Sequence, residues 1–222
     1  YDLILTTDED ILTHCSNAVL VPYGTTWLNK GKIDDVNAIG EYSSTLDKLH
    51  KDKKFEVSFL CSFHPRQLEG YEMRKNAWLN QEHMTTPTLF YSSPRMILHN
   101  APDWYQERIL PFSGNPLPND DKDELFHSQF HLSIESTKIK NYFTEKLIDA
   151  LITKTVPVYW GCQNIEEFFN PEGIVIVENI NDLVDKINLL TPETYESMLP
   201  HIEENFEIAK GYASSFAGRI KK

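Results

Sequence analysis

Apolar residues fall in short blocks over the first fifty positions. Asp2-Leu3-Ile4-Leu5-Thr6 predicts a strand, Asp8 to His14 a short helix with Asp8 at its cap, and Ala18-Val19-Leu20-Val21 a second strand stopped by Pro22 and Gly24. Gly31 to His50 is polar and weakly periodic and ends in Lys51-Asp52-Lys53-Lys54, so it reads as a linker with one helix at most. Phe55, Val57 and Phe59 then alternate into Leu60 and Cys61 as in a strand entering a sheet, and Glu69 to Asn80 predicts a helix with Met73, Ala77 and Trp78 on one side. Thr85 to Asp123 is interrupted by Pro94, Pro102, Pro111, Pro116 and Pro118 and reads as long loops with short elements.

From Phe130 the rhythm is regular. Phe130 to Ile134 predicts a strand, and Thr144 to Thr153 a helix with Leu147, Ile148, Leu151 and Ile152 on one face. Thr155 to Trp160 predicts a strand, Ile165 to Phe169 a helical turn or two, and the β-branched run Gly173 to Val177 a buried parallel strand. Asp182 to Leu190 predicts a helix. Thr191 caps a last one, with Pro192 at its first position and Tyr195, Met198, Leu199, Ile202 and Phe206 as its apolar stripe. Strands alternating with helices imply an α/β fold, a parallel sheet with helices on both faces. Ligands of such sheets bind beyond the carboxyl ends of the strands, which directs attention to the loops after Leu60, Ile134 and Trp160.

Composition narrows the function classes. The 222 residues allow one large domain, or one domain plus part of another, and can bury a core without a disulfide or metal staple. With 21 basic and 33 acidic side chains the net charge is −12, which argues against sequence-independent nucleic-acid binding. No apolar run is long enough for a transmembrane segment. Cys15, Cys61 and Cys162 are no disulfide framework, and there is no Asn-x-Ser/Thr sequon, so a reducing, cytoplasmic setting is the expectation. The first residue is Tyr1 rather than Met, as expected of a fragment or a processed chain.

Common short motifs are absent: there is no Gly-x-Gly-x-x-Gly, no Walker A loop and no Cys-x-x-Cys. His127 and His131 are four apart, but the second lies in a predicted strand, so the spacing does not put both on one face. Asp8-Glu9-Asp10 and Asp121-Lys122-Asp123 fit the Asp-x-Asp pattern by which many sugar-transfer enzymes hold a divalent metal. In so acidic a chain both read better as solvated loop or cap residues.

One segment carries more. Phe130-His-Leu-Ser-Ile-Glu-Ser136, then Asn141-Tyr142-Phe143-Thr144-Glu145-Lys146-Leu147, then Thr155-Val156-Pro157-Val158-Tyr159-Trp160-Gly161 and Phe169-Asn170-Pro171 follow in order. This resembles the donor-binding motif of glycosyltransferase family 10, the α-1,3-fucosyltransferase group. That pattern has a strand ending in Phe-Glu-Asn, a Tyr-x-Thr-Glu-Lys helix opening and a Val-Pro-Val-type strand ending in Gly. Upstream, Val57-Ser58-Phe59-Leu60 followed by Gly70-Tyr71-Glu72-Met73-Arg74 places Arg74 where the family has an arginine on the donor diphosphate. The resemblance covers about Phe55 to Tyr212 and, weakly, Tyr1 to Gly24.

Physical chemistry agrees with such a role. Free N–H groups and the dipole at the start of the helix favour an anion there. Lys146 in the first turn opposes the dipole, and a bound diphosphate removes that conflict. Glu145 agrees with the dipole and can accept from ribose hydroxyls. Arginine stays charged and can hold two phosphate oxygens at once. Pro157 cannot donate within a strand and implies a short or bulged one.

The resemblance implies a Rossmann-like parallel sheet of the GT-B C-terminal donor domain, over residues 51–222. Residues 1–50 would be the remnant of an N-terminal acceptor-side α/β domain plus linker. It implies an inverting transfer of fucose from a GDP-linked donor to a glycan hydroxyl, with no cofactor or metal required. Arg74 and Lys146 would stabilise the leaving group, and Glu135, Ser136, Tyr142, Thr144 and Glu145 would bind the substrate. His64, Arg66 and Arg95 are further candidates near the same mouth. Ser136 stands where the family has Asn, so contacts to the base or sugar differ. Asp8, Glu9 and Asp10 are available acids, but no motif selects a general base. The alternative is a nucleotide- or glycan-binding module without turnover, its acceptor half missing or reduced.

Overall fold

The computed structural model describes residues 2–28, 48–61, 68–92, 115–117 and 122–213. Strand β1 (Ile4–Thr6), helix α1 (Glu9–His14) and strand β2 (Ala18–Leu20) form a βαβ unit with a two-stranded parallel sheet. Asp8 caps α1 as expected, accepting from the backbone N–H of Asp10 and Ile11. The acidic triplet around it is therefore a helix cap.

The second sheet has six parallel strands in the order β5-β4-β3-β6-β7-β8. They are β3 (Lys54–Cys61), β4 (Thr88–Ser92), β5 (Asn115–Pro116), β6 (Ser128–Ile134), β7 (Val156–Trp160) and β8 (Val175–Ile176). Helices α2 (Glu69–Leu79), α3 (Glu145–Ile152), α4 (Ile180–Asn188) and α5 (Pro192–Ala213) flank it. A 3-10 helix, Lys122–His127, leads into β6.

Every residue of β6 and β7 is buried, as in a parallel sheet covered on both faces. Val57, Phe59, Phe130, Leu132, Val156 and Val158 pack beneath α2, α4 and the first half of α5. The opposite face lies under α3, whose Leu147, Ile148, Leu151 and Ile152 are buried, and under Leu125 and Phe126 of the 3-10 helix. Small polar residues of the sheet tie these covering elements down. Ser58 Oγ donates to the Leu125 carbonyl at 2.6 Å, and Ser133 Oγ to the Lys146 carbonyl at 2.8 Å. Each buried hydroxyl is thereby satisfied while it fixes an element that carries the site.

Three expectations need correction. Thr88–Ser92, read as part of a loop region, is a strand that pairs with β3 over Val57–Cys61. The run Gly173–Val177 contributes only two half-buried residues at the sheet edge, because β-branched residues read alike in a central and an edge strand. In α5 the buried positions are Tyr195, Ile202, Asn205 and Ala209, while Leu199 is exposed. Pro157 sits in β7 with unbroken register to β6, so the strand is not bulged there. Pairing with β8 starts only at Val158, which leaves the proline at a position β8 does not reach.

Candidate active site

The strand order reverses between β3 and β6: the chain winds outward through β4 and β5 on one side and through β7 and β8 on the other. At this switch point helices diverge to opposite faces and leave a crevice. A cavity of about 250 Å³ lies there, lined by Trp27, Phe59, Leu60, Arg74, Lys122, Leu125, Phe126, His131, Leu132, Ile134, Glu145, Lys146 and Asp149. Arg74 and Lys146, brought from different elements, therefore face one cavity.

The start of α3 is held from behind by Glu135, the residue after β6. Its carboxylate has no exposed surface and accepts from Thr144 N and Thr144 Oγ1, both at 2.7 Å. Lys146 Nζ lies 3.6 Å from the same carboxylate, 2.9 Å from Glu145 Oε1 and 3.0 Å from Thr144 Oγ1. Burial alone would hold the Lys146 ammonium below its ordinary pKa, but the two carboxylates outweigh it and leave the value raised. Burial raises Glu145, and Lys146 beside it more than reverses this, so Glu145 is held below the usual range. Glu135 goes the other way: burial dominates and its carboxyl is raised despite Lys146.

Gly161, the glycine that ends the Val-Pro-Val strand, has a reason in this geometry. A Cβ there would fall 2.5 Å from Glu135 Cγ and 2.6 Å from the Tyr159 hydroxyl. Gly70 has a parallel role in α2, where a Cβ would lie 1.9 Å from the Glu135 carbonyl oxygen. Its N–H donates to the Ser136 carbonyl at 3.2 Å, so the first turn of α2 docks directly on the end of β6. Arg74, one turn later, is 5% exposed and donates through Nε and one terminal nitrogen to the Ile134 carbonyl, at 2.9 and 2.7 Å. Its guanidinium also lies over the Tyr71 ring, 5.0 Å from the centroid. The fork is thus fixed by its inner edge at the mouth of the cavity.

The loop before α3 is pinned by paired amides. Asn141 takes a positive φ of 61°, which Asn tolerates, and exchanges hydrogen bonds with Asn164 at 2.8 and 2.9 Å. Tyr142 follows, half-buried, edge-on to Tyr23 at 6.0 Å, its hydroxyl pKa raised by burial. Of the residues selected from sequence, Arg74, Glu145 and Lys146 line the cavity, and Thr144 and Glu135 lie immediately behind it. Ser136 and Tyr142 are not among the lining residues. His64, Arg66, Arg95 and Asp121 fall outside the described residues.

The cavity also has side chains that sequence reasoning missed. Asp149, one turn along α3 from Glu145, has no exposed surface and faces Lys122 Nζ at 3.3 Å. His131 accepts or donates at Nδ1 to Ser58 Oγ at 2.8 Å, and burial, aided by the charges of Lys122 and Lys53, lowers its pKa to about 3. The i, i+4 spacing of Glu145 and Asp149 was the one available signal. Among the described residues no group of three or more His, Cys, Asp or Glu side chains converges to hold a metal, and none of the helices is long and apolar enough to cross a membrane.

Comparison with known proteins points the same way as the motif. Residues 112–199 match the family model described as "Glycosyltransferase family 10 (fucosyltransferase) C-term". The alpha-(1,3)-fucosyltransferase FucT of Helicobacter pylori is 38% identical over 65 residues, 28% of this chain and 14% of the relative. An alpha-(1,4)-fucosyltransferase of Arabidopsis thaliana is 41% identical over 49 residues, 22% of this chain and 12% of the relative. The chain thus spans only a small part of the length of these curated relatives. The solved structure of an alpha1,3-fucosyltransferase with GDP-fucose superposes with a TM-score of 0.55 at 20% identity, over 97% of this chain and 71% of that one. The fold is accordingly a Rossmann-like parallel α/β fold like that of this structure. Over residues 112–199 the chain is thus similar to the C-terminal domain of glycosyltransferase family 10.

Proposed function

We propose that this chain binds a nucleotide sugar and serves the inverting transfer of fucose from GDP-fucose to a glycan hydroxyl. Residues 51–222 form the donor-binding domain, whose cavity takes one wall from Trp27, and the rest of residues 1–50 belong to the acceptor side. The observation that carries the reading is the convergence of Arg74 and Lys146 on one cavity at the β3/β6 switch point, beside the start of α3. The family match and a neighbour solved with GDP-fucose support the donor assignment.

In this reading the diphosphate lies across the N-terminus of α3. Arg74 offers the outer edge of its guanidinium and Lys146 its ammonium. Glu145 accepts from the ribose hydroxyls. A base takes the proton of the acceptor hydroxyl as its oxygen bonds to the anomeric carbon. The bond from that carbon to the diphosphate breaks on the opposite face, which inverts the centre. The electron pair leaves on the diphosphate, where Arg74, Lys146 and the helix dipole stabilise the charge. Glu135 positions Thr144 and Lys146. Tyr142 and Ser136 stand outside the cavity lining, and only the motif assigns them to the donor side.

Calorimetric titration of the chain with GDP, UDP and GDP-fucose, followed by an assay of fucose release from GDP-fucose, tests this. The reading expects GDP and GDP-fucose to bind and UDP to bind more weakly. Absence of binding by all three would overturn it.

A further inference from the structure

The wall of the cavity farthest along α3 is built from two side chains with no role so far. Trp27 belongs to a strap, Pro22 to Leu28, that reaches α3 from the βαβ unit. Thr26 Oγ1 donates to Asp149 Oδ1 at 2.7 Å, and the Trp27 N–H donates to the same oxygen at 3.0 Å. Lys122 takes the other Asp149 oxygen at 3.3 Å, and its ammonium sits over the Trp27 ring, 4.7 Å from the centroid. The indole is thus fixed at its backbone and on one face, yet 47% of Trp27 is exposed. A buried carboxylate holding a half-open indole at a cavity wall is an arrangement suited to a planar ligand.

Helix α3 gives a ruler. Glu145 and Asp149 are four residues apart, which is about 6 Å along the axis. With the diphosphate at Thr144 and Lys146 and the ribose at Glu145, the next group of a nucleotide in that direction is its base. That position is where Trp27 and Lys122 stand. The indole can serve as a platform on which a base stacks. Lys122 offers donors only, and so matches a base edge with carbonyl and ring-nitrogen acceptors, as in guanine, and opposes an amino edge, as in adenine.

We propose that Trp27 and Lys122 form the nucleobase subsite of this cavity, Trp27 by stacking and Lys122 by donating to the carbonyl edge of the base. The inference rests on the donor reading above and adds to it a specificity element. Trp27 stands outside the segment matched by the family, residues 112–199.

The test is calorimetric titration of the chain and of Trp27→Ala, Trp27→Phe and Lys122→Met with GDP, ADP and inorganic pyrophosphate, with thermal melts of each variant. Trp27→Ala is expected to weaken GDP about tenfold or more and to leave pyrophosphate within about twofold, and Trp27→Phe to restore most of the GDP affinity. Lys122→Met is expected to narrow the preference for GDP over ADP. Unchanged GDP affinity in Trp27→Ala, or equal losses for GDP and pyrophosphate, would overturn the subsite. Wild-type binding of pyrophosphate with no gain for GDP would overturn it while sparing the diphosphate site. Failure of both ligands on wild type would overturn the donor reading and the subsite together.

Discussion

Lys146 Nζ stands 3.6 Å from the carboxylate of Glu135, a side chain with no surface of its own. The ammonium is a quarter exposed on the cavity side and counterbalanced from the buried side. A cation at a helix N-terminus is unfavourable in isolation. Here Glu135 and Glu145 hold it charged at the cavity wall, where the proposed function has it meet a phosphate.

Removing Glu135 should therefore injure both fold and binding. Glu135→Ala leaves the Thr144 N–H and hydroxyl and the inner side of Lys146 without their acceptor, and is expected to cost about 3 kcal/mol of stability. Glu135→Gln keeps one acceptor but not the charge and should cost less. Urea unfolding of the three proteins checks this order. Equal stability of wild type and Glu135→Ala would contradict it.

Arg74 should resist conservative replacement. Its fork is fixed on the Ile134 carbonyl by two donors, and the rest of the guanidinium is left for the cavity. A lysine offers a point charge without that fork. Arg74→Lys is expected to lose pyrophosphate affinity by about tenfold, nearly as much as Arg74→Ala. Competition titration with pyrophosphate measures this, and full rescue by lysine would contradict it.

His131 predicts an early acid sensitivity. Its folded pKa is lowered to about 3 from an ordinary 6.5, first by burial and then by Lys122 and Lys53. Between those values the unfolded chain binds more protons than the folded one, so stability falls as pH falls from about 6.5, by about 1.4 kcal/mol per pH unit at most. Thermal melts between pH 8 and 4 should show this slope, and His131→Gln should flatten it. An unchanged slope in that variant would contradict the assignment.

Much of this was legible in the chain. The stripe Leu147, Ile148, Leu151 and Ile152, the cap Thr144 and the fully apolar β7 all obey local rules, and they place the start of α3 correctly. β4 was not legible, because its five residues lie in a stretch broken by prolines and are made a strand by pairing with β3. The position of Glu135 after β6 was visible, but its depth was not. It reads as a ligand of the substrate, whereas both oxygens are taken by Thr144 and Lys146. The Thr26–Asp149 contact joins residues 123 apart, and no local pattern announces such a pairing. Trp27 and Lys122 became site residues only through it.

The most direct measurement is the affinity of GDP for wild type and for Lys146→Ala at one ionic strength. If the diphosphate sits at the start of α3 between Arg74 and Lys146, wild type binds GDP and the variant binds it at least about tenfold more weakly. Equal affinity in the two proteins would place the diphosphate elsewhere and contradict the account.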